Sequence, residues 1–163
     1  MKVFGIVGWK NAGKTGLMER LVSEITGRGH TVSTVKHAHH AFDVDQPGKD
    51  SYRHRVAGAS EVLLASNARV ALMLYLRGAP EPDLPSLLAR LSPVDLVLVE
   101  GFKHAPHPKV EAFRAATGQT LLAHGDDTIL AVASDTEVEI DRPRFDLNAT
   151  ADIADFILAE VAL

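Results

Sequence analysis

The chain has 163 residues, 46% of them apolar and 23% charged, a composition that suits one compact domain with a hydrophobic core. Its formal net charge of −4 argues against nucleic acid or an anionic membrane surface as a partner. Cysteine is absent, which excludes disulfides, thiolate metal sites and cysteine nucleophiles.

The amino terminus begins with an apolar run over residues 2–7, which predicts a buried parallel strand. It is followed by the stretch Gly8-Trp9-Lys10-Asn11-Ala12-Gly13-Lys14-Thr15 and by a helical pattern over residues 14–27. Strand, GxxxxGK[ST] and helix in this order are the context of a phosphate-binding P-loop. The alternative is a glycine-rich turn with a solvated lysine. Because the chain enters this strand at once, and its longest apolar run is too short to span a bilayer, we expect a cytoplasmic protein.

The residue types in this loop match the chemistry of a triphosphate site. Gly8 and Gly13 allow the backbone to approach the phosphates, and the helix amino terminus favours an anion. Lys14 is expected to reach the β- and γ-phosphates, and the Thr15 hydroxyl to ligate Mg²⁺. Gly16 departs from the second hydroxyl that many P-loops carry there. The predicted nucleotide-binding residues of the loop are Gly8, Lys10, Asn11, Ala12, Gly13, Lys14, Thr15 and Gly16.

The middle of the chain is predicted to form a strand over residues 31–35, a long polar loop over residues 36–50 and a short helix that is capped by Asp50 or Ser51 and runs to about Gly58. Residues 61–65 and 69–76 fit a hairpin, which we expect to add antiparallel strands to one edge of a sheet. A short helix is predicted over residues 84–91.

The remaining pattern alternates strands with helices. Strands are predicted over residues 94–99, 109–113 and 129–133, a surface loop over 118–127, and a closing helix over 149–161. This order of strands and helices predicts a three-layer α/β domain of the P-loop NTPase-like class over residues 1–163. Its sheet is expected to be mainly parallel, with a few antiparallel edge strands.

A P-loop needs an acidic residue beside its Mg²⁺, and the stretch Asp95-Leu-Val-Leu-Val-Glu100 offers two. Ligands of parallel sheets bind at the carboxyl ends of the strands, and about 16 Å separates the ends of this strand. Glu100 is therefore the predicted metal residue together with Thr15, and Asp95 a strand-entry residue. The alternative for Glu100 is a buried carboxylate held by loop N–H groups.

These motifs together resemble one family, MobB, the GTP-binding adaptors of molybdopterin-guanine dinucleotide biosynthesis. The residues that carry the resemblance are the loop 8–15, Val35-Lys36-His37, Asp45-Gln-Pro-Gly-Lys-Asp-Ser51, Tyr52-Arg-His-Arg55, Ala57-Gly-Ala59, Leu98-Val-Glu-Gly-Phe-Lys103, Pro108-Lys109 and Ala131-Val-Ala-Ser-Asp135. The resemblance implies GTP with Mg²⁺, weak hydrolysis, a fold class that dimerises around nucleotide, and a molybdenum cofactor guanylyltransferase (MobA-like) as partner.

Several further side chains are candidates for the same site. The histidines at positions 37, 39, 40, 54, 104 and 107 are either a metal relay or polar loop residues that contact phosphate, pterin or a partner, and we favour the second interpretation. His37 and His40 are expected to face the site. Possible pterin, switch or partner residues are Asp45, Lys49, Asp50, Arg53, Gly101 and Lys103.

Two predictions concern specificity and assembly. Asp135 ends the last strand, where its carboxylate is suited to accept from guanine N1–H and N2–H, and the alternative is a turn residue. The apolar residues of the second hairpin strand (Leu72, Met73, Leu74 and Leu76) suit either a dimer surface or a core.

The function predicted is a Mg·GTP-binding adaptor, at most a slow GTPase, of molybdenum cofactor biosynthesis. The alternatives are a small-molecule kinase or ATP-dependent ligase on the same fold, a metal-inserting GTPase, and a binding module without turnover. Molybdopterin is a possible ligand.

Overall fold

A computed structural model describes residues 1–38 and 43–163, and backbone contacts divide the chain into two compact units. The first unit is Met1–His37 with Arg90–Leu163, and the second is Ala38–Ala89. The strands are β1 Lys2–Val7, β2 Val32–Lys36, β3 Glu61–Ala65, β4 Val70–Leu74, β5 Leu96–Glu100, β6 Lys109–Phe113, β7 Ile129–Ser134 and β8 Arg144–Asp146. The helices are α1 Lys14–Gly27, α2 Asp50–Val56, α3 Leu84–Leu88 and α4 Thr150–Val161. One domain over residues 1–163 stays a prediction.

The first unit contains a six-stranded sheet with the order β2-β5-β1-β6-β7-β8, and each neighbouring pair is parallel. Ile6 of β1 and Lys36 of β2 both pair with Glu100 of β5. The carboxyl ends of these three strands are therefore level, and the loops that follow them share one edge of the sheet.

Helices α1 and α4 pack on one face of this sheet because their apolar residues recur every three or four positions. Buried side chains of both helices join Phe4 and Ile6 of β1 in one core: Leu17, Leu21, Ile25, Ile153, Ile157 and Val161. The predicted bounds of α1 and β1 are confirmed, and Phe156 packs against this core from a partly buried position.

The opposite face contains a smaller cluster that the sequence did not predict. Residues 118–127 were expected to be a surface loop, but Leu122–His124 form a 3₁₀ turn whose Ala123 is buried. The Glu111 carboxylate accepts hydrogen bonds from the N–H groups of Leu122 at 3.0 Å and Ala123 at 2.9 Å. A buried acceptor on β6 thus holds the turn against the sheet.

The second unit contains helix α2 and the antiparallel pair β3–β4, with Glu61 opposite Leu74 and Ala65 opposite Val70. The fold class is confirmed and so is the hairpin, but the pair forms a sheet of its own instead of joining the edge of the parallel sheet. Helix α2 begins after Lys49, which does not cap it through its side chain, so neither Asp50 nor Ser51 is the cap residue. In the described ranges no helix has the length and apolar character needed to cross a bilayer.

Candidate nucleotide site at the carboxyl ends of the central strands

The loop between β1 and α1 has a backbone conformation that few residue types adopt. Gly8, Asn11 and Gly13 have φ values of 143°, 65° and 93°. A Cβ atom at Gly8 would lie 2.3 Å from the Ala112 carbonyl oxygen, so only glycine fits there. Asparagine tolerates the left-handed region better than most residues, which explains Asn11.

Helix α1 begins directly behind this loop. Its cap residue is Gly13, which has no side chain to bond the amides of the first turn. Uncapped amides and the positive end of the helix dipole suit an anion such as a phosphate group. The Lys14 ammonium donates to the Trp9 carbonyl oxygen at 2.7 Å and so lies over the loop.

Glu100 lies beside the amino terminus of α1, as its level register with Ile6 requires. Its Oε1 atom accepts from the Thr15 hydroxyl at 3.4 Å and lies 3.3 Å from the Lys36 ammonium. A hydroxyl and a carboxylate are the hard oxygen donors that Mg²⁺ prefers, so this pair fits a magnesium ion. Asp95 lies at the other end of β5, where its Oδ2 accepts from the Thr31 N–H and hydroxyl, both at 2.7 Å. It is the strand-entry residue that the sequence predicted.

Burial and the charged groups around the loop together lower the pKa of Lys14. Burial is the largest cause and lowers the pKa of Lys14, the Glu100 carboxylate raises it, and the ammonium groups of Lys103 and Lys36 lower it further. The sequence analysis named Lys36 only as part of the motif at residues 35–37 and did not predict that it belongs to the site. Its position at the carboxyl end of a strand, the same criterion that selected Glu100, would have identified it.

The loop after β5 approaches the phosphate-binding loop through aromatic rings. Gly101 has φ 92°, and a Cβ atom there would lie 3.0 Å from the Cβ of His37. The Phe102 ring stacks on the His37 imidazole with 4.6 Å between centroids. The Lys103 ammonium lies 4.2 Å from the centroid of the Trp9 ring, whose Nε1 donates to the Thr120 carbonyl oxygen at 2.8 Å. Gly101, Lys103 and His37 are thus placed near the loop.

Asp135 lies at the carboxyl end of β7, on the same edge of the sheet. Its Oδ1 accepts from the Ala115 N–H at 3.0 Å, and its carboxylate lines a cavity of about 410 Å³ with Arg144 and Phe145. Arg114 was not predicted, but its guanidinium lies close enough to Gly13 that a Cβ atom there would be 3.0 Å from Nε.

The other predicted residues that the structure describes belong to the second unit. Asp45 has a buried side chain that accepts from the Tyr75 hydroxyl at 2.8 Å. Arg55 forms two hydrogen bonds of 2.9 Å with the Asp43 carboxylate, and Asp43 Oδ1 accepts from the Asp45 N–H at 3.0 Å. Both carboxylates thus accept hydrogen bonds from groups of their own unit.

Polar residues of the second unit and apolar residues of the β3–β4 hairpin together line an open groove of about 1590 Å³. Lys49 and Asp50 belong to this lining, and the exposed Arg53 lies 4.0 Å from Asp50. His40 lies outside the described residues. Within residues 1–38 and 43–163, no three His, Asp or Glu side chains are grouped closely enough to hold a metal ion.

The sequence did not predict that Lys109 of β6 and His107 of the loop before it would be buried, Lys109 fully and His107 partly. Lys109 is fully buried, and its ammonium donates to the Ala105 carbonyl at 2.6 Å and to the His107 carbonyl at 3.0 Å, as well as to the Thr128 hydroxyl. These bonds fix the loop that follows Gly101. Burial and the nearby Lys109 charge lower the pKa of His107 to about 4.

Comparisons with known proteins agree with this geometry. The family model of molybdopterin guanine dinucleotide synthesis protein B, MobB, matches residues 3–135. The chain belongs to the MobB family. A molybdopterin-guanine dinucleotide biosynthesis adapter protein of Haemophilus influenzae is 42% identical over 95% of this chain and 86% of its own length. The protein of the same name from Escherichia coli is 39% identical over 96% and 91%.

A solved MobB structure supports the same assignment for the fold. The MobB homologue from Bacillus stearothermophilus is 29% identical, with 99% of both chains covered and a TM-score of 0.73. Its fold is the P-loop NTPase-like class that the sequence predicted for this chain. Membership of the family places the chain in the biosynthesis of the molybdenum cofactor.

Proposed function

We propose that this MobB chain is a cytoplasmic adapter that binds GTP with Mg²⁺ and assists the guanylyltransferase of molybdopterin guanine dinucleotide biosynthesis. The proposal depends on one observation. The glycine-containing loop 8–13 leads into a helix without a side-chain cap, with Lys14 over the loop and the Thr15–Glu100 pair beside it. The names of the Haemophilus and Escherichia relatives support the adapter role.

Different groups of the site are proposed to bind different parts of the triphosphate and its metal ion. Backbone amides of the first turn of α1 bind the phosphate oxygens, and Lys14 adds a point charge. Thr15 and Glu100 hold the metal, which neutralises phosphate charge when it is bound. Any hydrolysis is expected to be slow, because we assign no arginine finger, a group that is worth about 10³–10⁵ in rate.

Calorimetry with GTP and ATP tests this proposal most directly. Wild type should bind GTP only weakly without Mg²⁺ and more tightly with it, and ATP less tightly than GTP. Lys14→Ala removes the point charge over the phosphates and should lower GTP affinity at least tenfold. Lys2→Ala is the matched control, because Lys2 is exposed at the amino end of β1, away from the site. No GTP binding by wild type, or equal binding by Lys14→Ala, would contradict the proposal, and tighter ATP binding with fast phosphoryl transfer would favour a kinase.

The apolar surface of the β3–β4 hairpin supports a homodimer. Leu72 and Leu74 are 48% and 37% exposed, and Leu63 on the facing strand is 61% exposed. Exposed apolar patches of this kind are typical of protein interfaces. We therefore propose that two copies associate through this hairpin.

Light scattering measures the assembly state. Wild type should elute with the mass of two chains, and Leu72→Asp should elute as one chain because a charge in an apolar interface is costly. Leu163→Asp, which changes an exposed leucine outside the hairpin, is the control and should leave the dimer intact. A dimeric Leu72→Asp protein would exclude the hairpin as the interface.

The adapter role itself needs the guanylyltransferase as a binding partner. Its affinity for this protein should be measurable by calorimetry and should change when Mg·GTP is added. Failure of the two purified proteins to bind in any nucleotide state would refute this part of the proposal without touching nucleotide binding.

A further inference from the structure

Three lysines and one carboxylate meet around the phosphate-binding loop. Lys36 lies 3.3 Å from Glu100 Oε1, Lys103 lies over the Trp9 ring, and Lys14 donates to the Trp9 carbonyl. Trp9 thus holds two of the ammonium groups and Glu100 holds the third, so three positive charges surround one loop. Three ammonium groups and one carboxylate give this cluster a formal charge of +2.

Like charges gathered in this way raise the free energy of the empty site, because the ammonium groups repel one another. A ligand that brings negative charge removes this cost. The formal charge of Mg·GTP is about −2, which balances the cluster, whereas that of Mg·GDP is about −1.

We propose that Lys36 and Lys103 are two further phosphate-binding residues that, together with Lys14, make the site select the magnesium-bound nucleoside triphosphate over the diphosphate. This inference rests on the proposed nucleotide function and adds to it the residues that recognise the third phosphate.

The contacts of Lys36 explain how its ammonium group can become available to bind a phosphate. It shares the Oε1 atom of Glu100 with the Thr15 hydroxyl, so its ammonium holds the carboxylate in the orientation that faces the helix. Glu100 and Thr15 would hold a magnesium ion through that oxygen, and the Lys36 ammonium would then be available to the phosphates. The Lys36 side chain is 59% exposed, so little packing opposes this movement.

Lys103 can likewise exchange its present contact for a phosphate group. Its ammonium rests on an aromatic ring of the phosphate-binding loop itself, a contact that a phosphate oxygen readily outcompetes. It follows Gly101 and Phe102, which have φ values of 92° and 49°, so the chain turns sharply back toward the loop before it.

Calorimetry with Mg·GTP and Mg·GDP tests the proposal on wild type, Lys36→Met and Lys103→Met. Each variant keeps most of the length of the side chain and removes its charge. We expect each to lose about 10- to 100-fold in affinity for Mg·GTP and clearly less for Mg·GDP, so the triphosphate preference falls. Lys2→Met is the matched control and should bind like wild type. Thermal unfolding of both site variants should match that of wild type, since Lys36 is exposed and Lys103 is not buried.

Trp9 provides a second measurement, because it is the only tryptophan of the chain. Mg·GTP should change its fluorescence more than Mg·GDP does in wild type, and this difference should vanish in Lys103→Met. If Lys14→Ala abolishes binding while both methionine variants keep the wild-type triphosphate preference, the inference is wrong and the proposed function stands. If wild type binds neither nucleotide, the proposed function fails first.

Discussion

Alanine at Gly8 and alanine at Gly16 should change the stability of the protein in opposite directions. At Gly8 the added Cβ would lie 2.3 Å from the Ala112 carbonyl oxygen, in a backbone with φ 143°. Overpacking of a close contact costs about 1–3 kcal/mol, and a strained φ another 1–3 kcal/mol. The free energy of unfolding of Gly8→Ala should therefore fall by about 2–6 kcal/mol, a large fraction of the total stability of a typical domain.

At Gly16 the added Cβ would meet only the Arg20 guanidinium at 3.6 Å, an ordinary contact. The residue lies in the first turn of α1, where alanine is favoured over glycine by about 0.5–1 kcal/mol. The free energy of unfolding of Gly16→Ala should rise by about that amount.

Urea denaturation followed by circular dichroism measures both changes, provided that the slope of the transition is the same in all three proteins. The midpoint should move to lower urea for Gly8→Ala and to higher urea for Gly16→Ala. A Gly8→Ala protein with the midpoint of wild type would show that the loop does not approach β6 as closely as described, and the shape of the phosphate cradle would have to be revised.

Three further predictions follow from buried or charged side chains. The pKa of His107 is about 4 in the folded chain against 6.5 in the unfolded chain, so the folded state binds fewer protons in between, and stability should fall by up to about 3 kcal/mol as pH drops from 6.5 to 4. His107→Leu should flatten this part of the pH profile in denaturation experiments. Glu111→Ala leaves one buried and one partly buried N–H group without this acceptor and should cost about 2–4 kcal/mol in thermal denaturation, while Glu111→Gln, which keeps one acceptor, should cost less. Asp135→Asn should lower GTP affinity about 10-fold or more and raise affinity for xanthosine triphosphate in calorimetry; unchanged GTP affinity would exclude Asp135 from guanine recognition.

The sequence by itself determined those features that depend on neighbouring residues. The strand, glycine loop and helix over residues 2–27 follow from apolar period and turn chemistry, and their bounds agree with the structure. The choice of Glu100 over Asp95 followed from the geometry of a single strand, and the two carboxylates indeed lie at opposite ends of β5.

Only the tertiary structure decided what depends on residues far apart in the chain. The register that sets Lys36 level with Glu100 joins strands more than 60 positions apart, and no local pattern encodes it. Lys109 and Glu111 are charged residues in a strand that is buried on both faces. Their burial is explained by hydrogen-bond partners on other loops, which the sequence alone does not show. The hairpin was predictable from its two apolar runs, but its separation from the main sheet was not, because strand pairing beyond a hairpin depends on long-range contacts.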